Sequence, residues 1–189
     1  MRTICVVTAT RAEYGLLRPV VQKLAASSTL QLQLVATGAH LCPRLGETVR
    51  EIEADGVPIA ARLPIFVGDE NEPVAVTIAR TITVFDAYFS AHRPDAVLLL
   101  GDRFEIFAAA TAAAARHIPI AHISGGDVTL GAADEYYRHC ITKMAAVHFP
   151  SCADSAARLV RMGEAPETVF CVGGLGDENI RTLPKMSRE

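Results

Sequence analysis

Residues 95–105 have the sequence DAVLLLGDRFE, and this stretch decides the fold class. Its unbroken apolar run is typical of a strand that is buried on both faces, as in a parallel sheet. Charged residues follow the run directly, at the carboxyl end of the strand, where doubly wound sheets bind their ligands. We therefore predict a central parallel strand at residues 95–100, followed by a functional loop.

The rest of the chain repeats this alternation of strand and helix. The predicted strands are residues 3–8, 30–36, 59–66, 95–100, 118–123, 148–150 and 169–172. The predicted helices are residues 16–26, 45–54, 73–92, 103–116, 134–147 and 151–162. Such an alternation predicts an α/β fold, a doubly wound parallel sheet with helices on both faces.

The composition is that of one globular domain: of 189 residues, 50% are hydrophobic and 21% are charged, with a formal net charge of -3. The chain has no lysine or arginine run, so nucleic acid is not an expected partner. The apolar run at the N-terminus is too short for a signal peptide, and no stretch approaches the ~20 apolar residues of a membrane helix. We therefore expect a cytoplasmic protein without membrane contact. The five cysteines lack CxxC spacing, which favours buried thiols over a disulfide frame or a metal site.

The loop after the first predicted strand, TATRAEYG at residues 8–15, contains neither the GxGxxG fingerprint nor a Walker loop. A dinucleotide redox enzyme is therefore disfavoured. Arg11 is placed to bind a phosphate or a carboxylate beside open backbone N–H groups. The alternative is a surface arginine paired with Glu13. His40, after the second predicted strand, is more typical of a structural histidine than of a substrate contact.

Asp102 and Arg103 directly follow the central strand, so they lie over the predicted crevice. Three roles are open for Asp102: a general base, a ligand of a substrate hydroxyl, and the N-cap of the following helix. Arg103 is either the counter-ion of Asp102 or a second group that binds an anion.

Residues 121–143, AHISGGDVTLGAADEYYRHCITK, hold the densest group of acids, bases and glycines in the chain. They begin with a predicted strand and continue into a loop. The glycine pair Gly125 and Gly126 predicts a turn whose backbone lies close to a ligand. Asp127 is a lone acid directly behind that turn.

Asp134 and Glu135 open the next predicted helix, where capping and helix-dipole interactions are the alternative to a catalytic role. Arg138 follows them by four and three residues, which places it on the same side of the helix, as an ion-pair partner or as part of a reactive cluster. Acids on separate crevice loops, each near an arginine, suggest proton transfer on a polar ligand. Their spacing is not that of a metal site.

Five motifs in chain order carry a family resemblance: TRAEYG, VATGAHL, LLLGDRFE, HISGGDVTLGAADEYYRHCITKM and VFCVGGLGDENI. Together they resemble the hydrolysing UDP-N-acetylglucosamine 2-epimerases, in particular the branch that feeds sialic, legionaminic and related nonulosonic acid synthesis. The resemblance implies the Rossmann-like N-terminal half of a GT-B type two-domain fold. Residues 1–175 would form the domain, and residues 176–189 the crossover toward a C-terminal domain missing here. A homodimer and a UDP-sugar substrate are also implied.

The implied reaction eliminates UDP from UDP-N-acetylglucosamine, or from a UDP-2,4-diacetamido-trideoxyhexose, to give a glycal. Water then adds to release the free 2-epimeric sugar, of the N-acetylmannosamine type. No metal or redox cofactor is implied. The candidate acid and base are Asp102 and Asp134, with Asp127 as a further candidate. The candidate substrate-binding residues are Arg11, Glu13, His40, Arg103, Ser124, Gly125, Gly126, Glu135 and Arg138.

Ser124 departs from the family pattern, since related enzymes often carry Glu or His there and a serine does not transfer protons near neutral pH. Either Asp127 or a histidine takes over, or this branch handles a different sugar. Leu16 stands where some relatives have a lysine. Two alternatives stay open: a nucleotide-sugar-binding module without activity of its own, and half of a GT-B glycosyltransferase.

Overall fold

The computed structural model of this chain describes residues 1–67 and 72–182. Its strands are β1 (Arg2–Thr8), β2 (Leu30–Thr37), β3 (Ile59–Leu63), β4 (Ala96–Leu100), β5 (Ile120–Ile123) and β6 (Val147–Phe149). They form one parallel sheet in the spatial order β3-β2-β1-β4-β5-β6. This is the order of a doubly wound, Rossmann-like sheet, and it confirms the predicted fold class.

Helices cover both faces of the sheet. In the described residues they are α1 (Arg11–Ala25), α2 (Val49–Ala54), α3 (Val74–Ala91), α4 (Phe104–Ala115), α5 (Asp134–Met144), α6 (Ala153–Arg161) and α7 (Leu175–Thr182). Short 3-10 turns occupy Gly38–Leu41, Pro43–Leu45 and Pro166–Thr168.

Strand β1 contributes to two hydrophobic cores because successive strand residues point to opposite faces. Val7 packs in one core with Phe85 and Phe89 of α3. Val6 points the other way and packs in a second core with Leu17 of α1. Since each face is covered, the central strands have no polar side and appear in the sequence as continuous apolar runs.

Helix α4 lies directly against the sheet because of its alanines. Ala109, Ala110 and Ala113 are fully buried and share the first core with Leu99 of β4. A methyl side chain allows the helix backbone to come close to the strands. This close packing fixes the start of α4, which carries the charged residues that follow β4.

Several element boundaries differ from the prediction. Helix α1 begins at Arg11 rather than at residue 16, because the Thr10 side chain accepts a hydrogen bond from the Glu13 N–H and caps the helix. The predicted strand at 169–172 is wrong: that segment runs beside β6 but forms only an isolated bridge, between His148 and Val169.

The expectation that no stretch approaches the length of a membrane helix is wrong for helix α3. It is 18 residues long, with a mean hydropathy of 1.2, and by length and composition alone it could cross a membrane. It carries Arg80 and Asp86, and its Phe85 and Phe89 are buried in the first core. These are also the features of a core helix in a soluble protein. The absence of membrane contact and the cytoplasmic location stay predictions.

The five cysteines are all free, but the prediction that they are buried holds only for Cys5 and Cys42. Cys140, Cys152 and Cys171 are exposed. Burial raises the pKa of the Cys5 thiol well above its usual value.

Of the predicted crossover, residues 176–182 belong to α7, whose Gly176 lies near the Leu16 side chain of α1.

Candidate active site

The carboxyl ends of β1, β4 and β5 surround a cavity of about 290 Å³. It is lined by Thr10, Ala12, Glu13, Leu16, Leu100, Gly101, Asp102, Arg103 and Ser124. The lining therefore combines residues from the start of α1, from the segment after β4 and from the turn after β5. Those segments are far apart in sequence, and the parallel sheet brings them together as predicted.

A second cavity, of about 660 Å³, lies between the sheet, α1 and α7. Its lining is mostly apolar, with Leu98, Ile123 and Phe149 among the strand residues and Asp177 and Arg181 as charged side chains. Although larger, it contains none of the predicted site residues. Convergent polar groups rather than volume mark a reactive site, so the smaller cavity is the candidate.

Arg138 of α5 connects the segments around the smaller cavity. Its side chain is only 4% exposed and donates to the Asp102 carboxylate and to Glu135 Oε2 at 2.6 Å. It also donates to Thr129 Oγ1 at 2.7 Å and to the Asp127 carbonyl at 2.9 Å. A buried guanidinium with two carboxylate partners is fixed in place. Protein groups thus engage Arg138, as in the ion-pair alternative, and its contact with the substrate stays a prediction.

The Asp102 carboxylate is 25% exposed and lines the cavity. The N-cap of α4 is Arg103, without a side-chain cap hydrogen bond, so the capping role considered for Asp102 is wrong. With its partner Arg138 on one side and the cavity on the other, Asp102 is positioned for acid–base chemistry or for binding a hydroxyl.

Arg103 is surrounded by acids. Its Nε and Nη2 donate to Glu105 at 3.2 and 2.9 Å, and Glu105 is fully buried. Burial lowers the pKa of the Arg103 guanidinium, but Glu105, Glu13 and Asp134 together outweigh this and raise it. Glu105 was not among the predicted site residues, and its position two residues after Arg103 was the available signal.

Glu13 is 7% exposed and accepts a hydrogen bond from the Ala9 N–H at 3.1 Å. Burial raises the pKa of its carboxyl group to about 8, and Glu105 adds to this, while the Ala9 N–H and Arg103 act in the opposite direction. The alternative partner suggested for Arg11 is wrong. Arg11 pairs with Glu51, at 2.8 Å, and its side chain is 73% exposed.

The glycine pair after β5 has a packing reason. A Cβ on Gly126, whose φ is +80°, would lie 2.4 Å from the Ser155 carbonyl oxygen. A Cβ on Gly125 would lie 3.0 Å from His122 Nδ1. Both positions are buried, and the approach of the turn's backbone to a ligand stays a prediction. Ser124 precedes them at φ +62° and lines the cavity.

Asp127 turns away from the cavity lining. Its Oδ1 accepts hydrogen bonds from Ser151 Oγ at 2.8 Å and Ser155 Oγ at 2.6 Å, at the start of α6. Asp134, the first residue of α5, is partly buried and interacts electrostatically with Arg103. Of the three candidate acids, Asp102 alone is among the cavity-lining residues of the described chain.

Two histidines are fully buried next to the site. His40 contacts Thr8 Oγ1 at 3.0 Å and Thr48 Oγ1 at 2.8 Å through its two ring nitrogens. His122 contacts the Gly101 carbonyl at 2.8 Å through Nε2. Burial lowers the pKa of both imidazoles to about 4. Both nitrogens of His40 thus have protein partners, as in a structural histidine.

Metal ligation has no visible basis in residues 1–67 and 72–182, where no cluster of three or more His, Cys, Asp or Glu side chains could hold an ion. The site instead consists of the cavity-facing Asp102 carboxylate, the buried acid Glu13 and the partly exposed Arg103. Such a site can bind a polar, anionic ligand and move a proton on it.

The fold and this polar crevice define a class: the chain is a Rossmann-like α/β half of the GT-B type. The model of the family described as UDP-N-acetylglucosamine 2-epimerase matches residues 22–189. The chain therefore belongs to the UDP-N-acetylglucosamine 2-epimerase family.

Curated relatives agree with that assignment. The chain is 40% identical over 190 residues to UDP-N,N'-diacetylbacillosamine 2-epimerase (hydrolyzing) of Legionella pneumophila, covering 100% of this chain and 50% of the relative. It is 36% identical over 189 residues to GDP/UDP-N,N'-diacetylbacillosamine 2-epimerase (hydrolyzing) of Campylobacter jejuni, covering 100% and 49%. The chain thus spans about half the length of the curated relatives it matches.

Solved structures share the fold at low sequence identity. A UDP-N-acetylglucosamine 2-epimerase from Listeria monocytogenes aligns with a TM-score of 0.83 at 22% identity, over 99% of this chain and 49% of its own. The Neisseria meningitidis enzyme bound to UDP-GlcNAc aligns with a TM-score of 0.81 at 22% identity, over 96% and 51%. Each match is to about half of the solved chain.

Proposed function

We propose that this chain is the N-terminal half of a hydrolysing 2-epimerase that converts a UDP-sugar into UDP and the free 2-epimeric sugar. The observation that carries the proposal is Asp102, a carboxylate at the end of the central strand that lines the cavity while buried Arg138 holds it from behind. Membership of the epimerase family supplies the reaction class.

In the proposed reaction, a carboxylate removes the proton from C2 of the sugar. The bond between C1 and the UDP oxygen breaks, UDP leaves with the bonding electrons, and a glycal remains. Water then adds to C1, and a proton returns to C2 on the opposite face. We assign acid–base roles to Asp102 and Asp134, because both carboxylates lie near Arg103, whose charge can stabilise an anionic ligand.

The sugar we favour is a UDP-2,4-diacetamido-trideoxyhexose, with UDP-N-acetylglucosamine as the other substrate. Two relatives at 36% and 40% identity are named as diacetylbacillosamine 2-epimerases, whereas a relative named UDP-N-acetylglucosamine 2-epimerase, from Neisseria meningitidis, is 30% identical. The proposed partner within the protein is a second αβ half that follows residues 1–175 and completes the cleft. A homodimer is part of the same proposal.

The test is incubation of the full-length protein with each UDP-sugar in deuterium oxide. The proposal expects UDP release together with a free 2-epimeric sugar that carries deuterium at C2. UDP release without label at C2 would contradict it, since simple hydrolysis leaves the C2–H bond intact. An acceptor-dependent transfer product would instead indicate a glycosyltransferase.

The second candidate is a binding module without activity of its own. Calorimetry on the 189 residues with UDP and UDP-sugar tests it. Binding without turnover here, combined with turnover by the full-length protein, fits the half-enzyme proposal. Binding without turnover in both supports the module.

A further inference from the structure

Glu13 is the acid in the cavity lining that the reaction scheme above leaves without a role. It lies on the first turn of α1, and its Oε2 accepts the Ala9 N–H at 3.1 Å. Its other carboxyl oxygen, Oε1, is buried and has no hydrogen-bond partner in the structure. A carboxyl oxygen that is removed from water and left unpartnered is costly unless it carries a proton or meets a ligand.

The charges around Glu13 compensate a second carboxylate only in part, through Arg103. Arg103 directs two N–H groups at the fully buried Glu105 and is thereby engaged. Asp102 lines the same cavity and is paired with Arg138.

The neighbours of Glu13 on the side of β2 add no charge. His40, in the turn after β2, donates its backbone N–H to the Ala9 carbonyl, and its imidazole is fully buried and bound by two threonines. Burial lowers the pKa of the His40 imidazole to about 4, so the ring is neutral near pH 7. An ionised Glu13 would therefore place an unpaired negative charge in the lining, which burial and Glu105 oppose.

We propose that Glu13 is a neutral carboxylic acid and that, once a rotation of its side chain turns the buried Oε1 toward the cavity, it donates a hydrogen bond from Oε1 to an anionic oxygen of the bound sugar nucleotide. The inference rests on the proposed function for the identity of the ligand. Since Oε2 accepts the Ala9 N–H, the proton belongs on Oε1. An ionised carboxylate would repel a diphosphate, whereas a neutral acid attracts it.

The role also bears on Ser124, which lines the same cavity and does not transfer protons near neutral pH. Asp127 is bound by Ser151 and Ser155 at the start of α6 and does not line the cavity. Glu13 does line it, together with Ser124 and Asp102. Glu13 thus supplies a proton-bearing acid to the cavity from the first turn of α1 rather than from the turn after β5.

The first measurement needs no ligand. In the 189-residue chain with ¹³C-labelled glutamate carboxyl groups, the Glu13 signal is assigned by its loss in Glu13→Gln and is followed against pH. We expect a titration midpoint near the pKa of about 8 that burial gives this carboxyl group. A midpoint below about 6, nearer the usual glutamate value, would overturn the proposal whatever the protein binds.

The second measurement is the affinity of the full-length protein at pH 7 and pH 9 for UDP, which carries the diphosphate of both candidate substrates and is not turned over. Wild-type affinity should fall by about 10-fold over this range, because the neutral acid is lost. Glu13→Gln keeps an acceptor for the Ala9 N–H and a donor in place of Oε1–H, so it should bind at both pH values. Glu13→Ala should bind weakly at both, and exposed Glu167→Gln should behave as wild type.

The outcomes separate the two proposals. Equal wild-type affinity at both pH values, or a Glu13→Gln variant as weak as Glu13→Ala, overturns the role of Glu13 while UDP-sugar turnover still stands. A wild-type protein that neither binds nor converts UDP-sugars overturns the proposed function and the ligand contact. The carboxyl titration then still decides whether Glu13 is neutral.

Discussion

The Asp102 carboxylate accepts a hydrogen bond from the Arg138 guanidinium across 36 residues of chain. Asp102 follows β4, and Arg138 lies on α5 beyond the next strand, so the contact joins two strand–helix units. Arg138 is 4% exposed and Asp102 is 25% exposed, which leaves the carboxylate as the member of the pair that a ligand can reach. The arginine therefore positions the acid at the edge of the cavity.

Removing the Arg138 guanidinium should lower the stability of the fold. Arg138→Gln leaves Asp102 and Glu135 without their buried cation, so the free energy of unfolding should fall by about 3 kcal/mol. Urea unfolding of the 189-residue chain measures this. Arg50→Gln is the matched control, because that arginine is 76% exposed and its pair with Glu47 should contribute at most about 0.5 kcal/mol. An equal effect of the two changes would contradict the positioning role.

Asp102→Asn should lower the turnover number of the full-length protein by at least about 10²-fold, the usual scale of a positioned acid or base. The amide oxygen can still accept the Arg138 hydrogen bond, so the fold should be retained. UDP release and deuterium incorporation at C2 are the two measurements. Asp95→Asn is the control, since Asp95 lies at the opposite end of the same strand and binds the Thr3 N–H at 2.7 Å. Wild-type turnover in Asp102→Asn would leave Asp102 with a structural role.

The sequence predicted the sheet because its signal is local. The apolar run at residues 95–100 and its neighbours are continuous, and two-sided burial by α1 and α3 is the physical cause. The strand predicted at 169–172 failed because a short apolar run does not say whether a neighbour pairs with it. The start of α1 at Arg11 could have been predicted, since Thr10 and Glu13 have capping-box spacing.

The contacts within the site could not be predicted in the same way. Asp102 pairs with Arg138 rather than with its neighbour Arg103. This choice depends on how the segment after β4 meets α5, and spacing along the chain does not reveal it. The partner of Arg11 was likewise a residue of α2, Glu51, and not its neighbour Glu13. Long-range ion pairs follow from tertiary packing, for which a single sequence has no local signal.

Acid should destabilise the chain partly through its buried histidines. Burial lowers the pKa of His40 and His122 from 6.5 to about 4, so the unfolded state takes up a proton before the folded state does. Stability from these groups is therefore complete above pH 6.5 and is lost as the pH falls toward 4. The variant His122→Gln lacks one of these titrating groups. Between pH 6.5 and pH 4 it should therefore lose less unfolding free energy than the wild type, by on the order of 2 kcal/mol.

The control for this pH dependence is His117→Asn, at an exposed residue whose φ of +55° an asparagine tolerates. Urea unfolding at pH 4, 5 and 6.5 provides the comparison. The same pH slope in wild type and in His122→Gln would contradict the assignment of a buried neutral imidazole.

Gly126 and Gly131 offer a matched test of why the loop after β5 needs its glycines. Both have φ of +80°, so an alanine at either position has the same backbone strain, about 1 kcal/mol. A Cβ at Gly131 meets nothing within 4 Å, whereas a Cβ at Gly126 lies 2.4 Å from the Ser155 carbonyl oxygen and 3.0 Å from Leu159 Cγ. Gly126→Ala must therefore push α6 away from the loop, and its unfolding free energy should fall by at least about 3 kcal/mol.

Ser155 also binds Asp127, so this displacement should lower turnover of the full-length protein, while Gly131→Ala should leave the position of α6 unchanged. Equal destabilisation of the two variants by urea would show that backbone strain, and not contact with α6, explains the glycine at position 126.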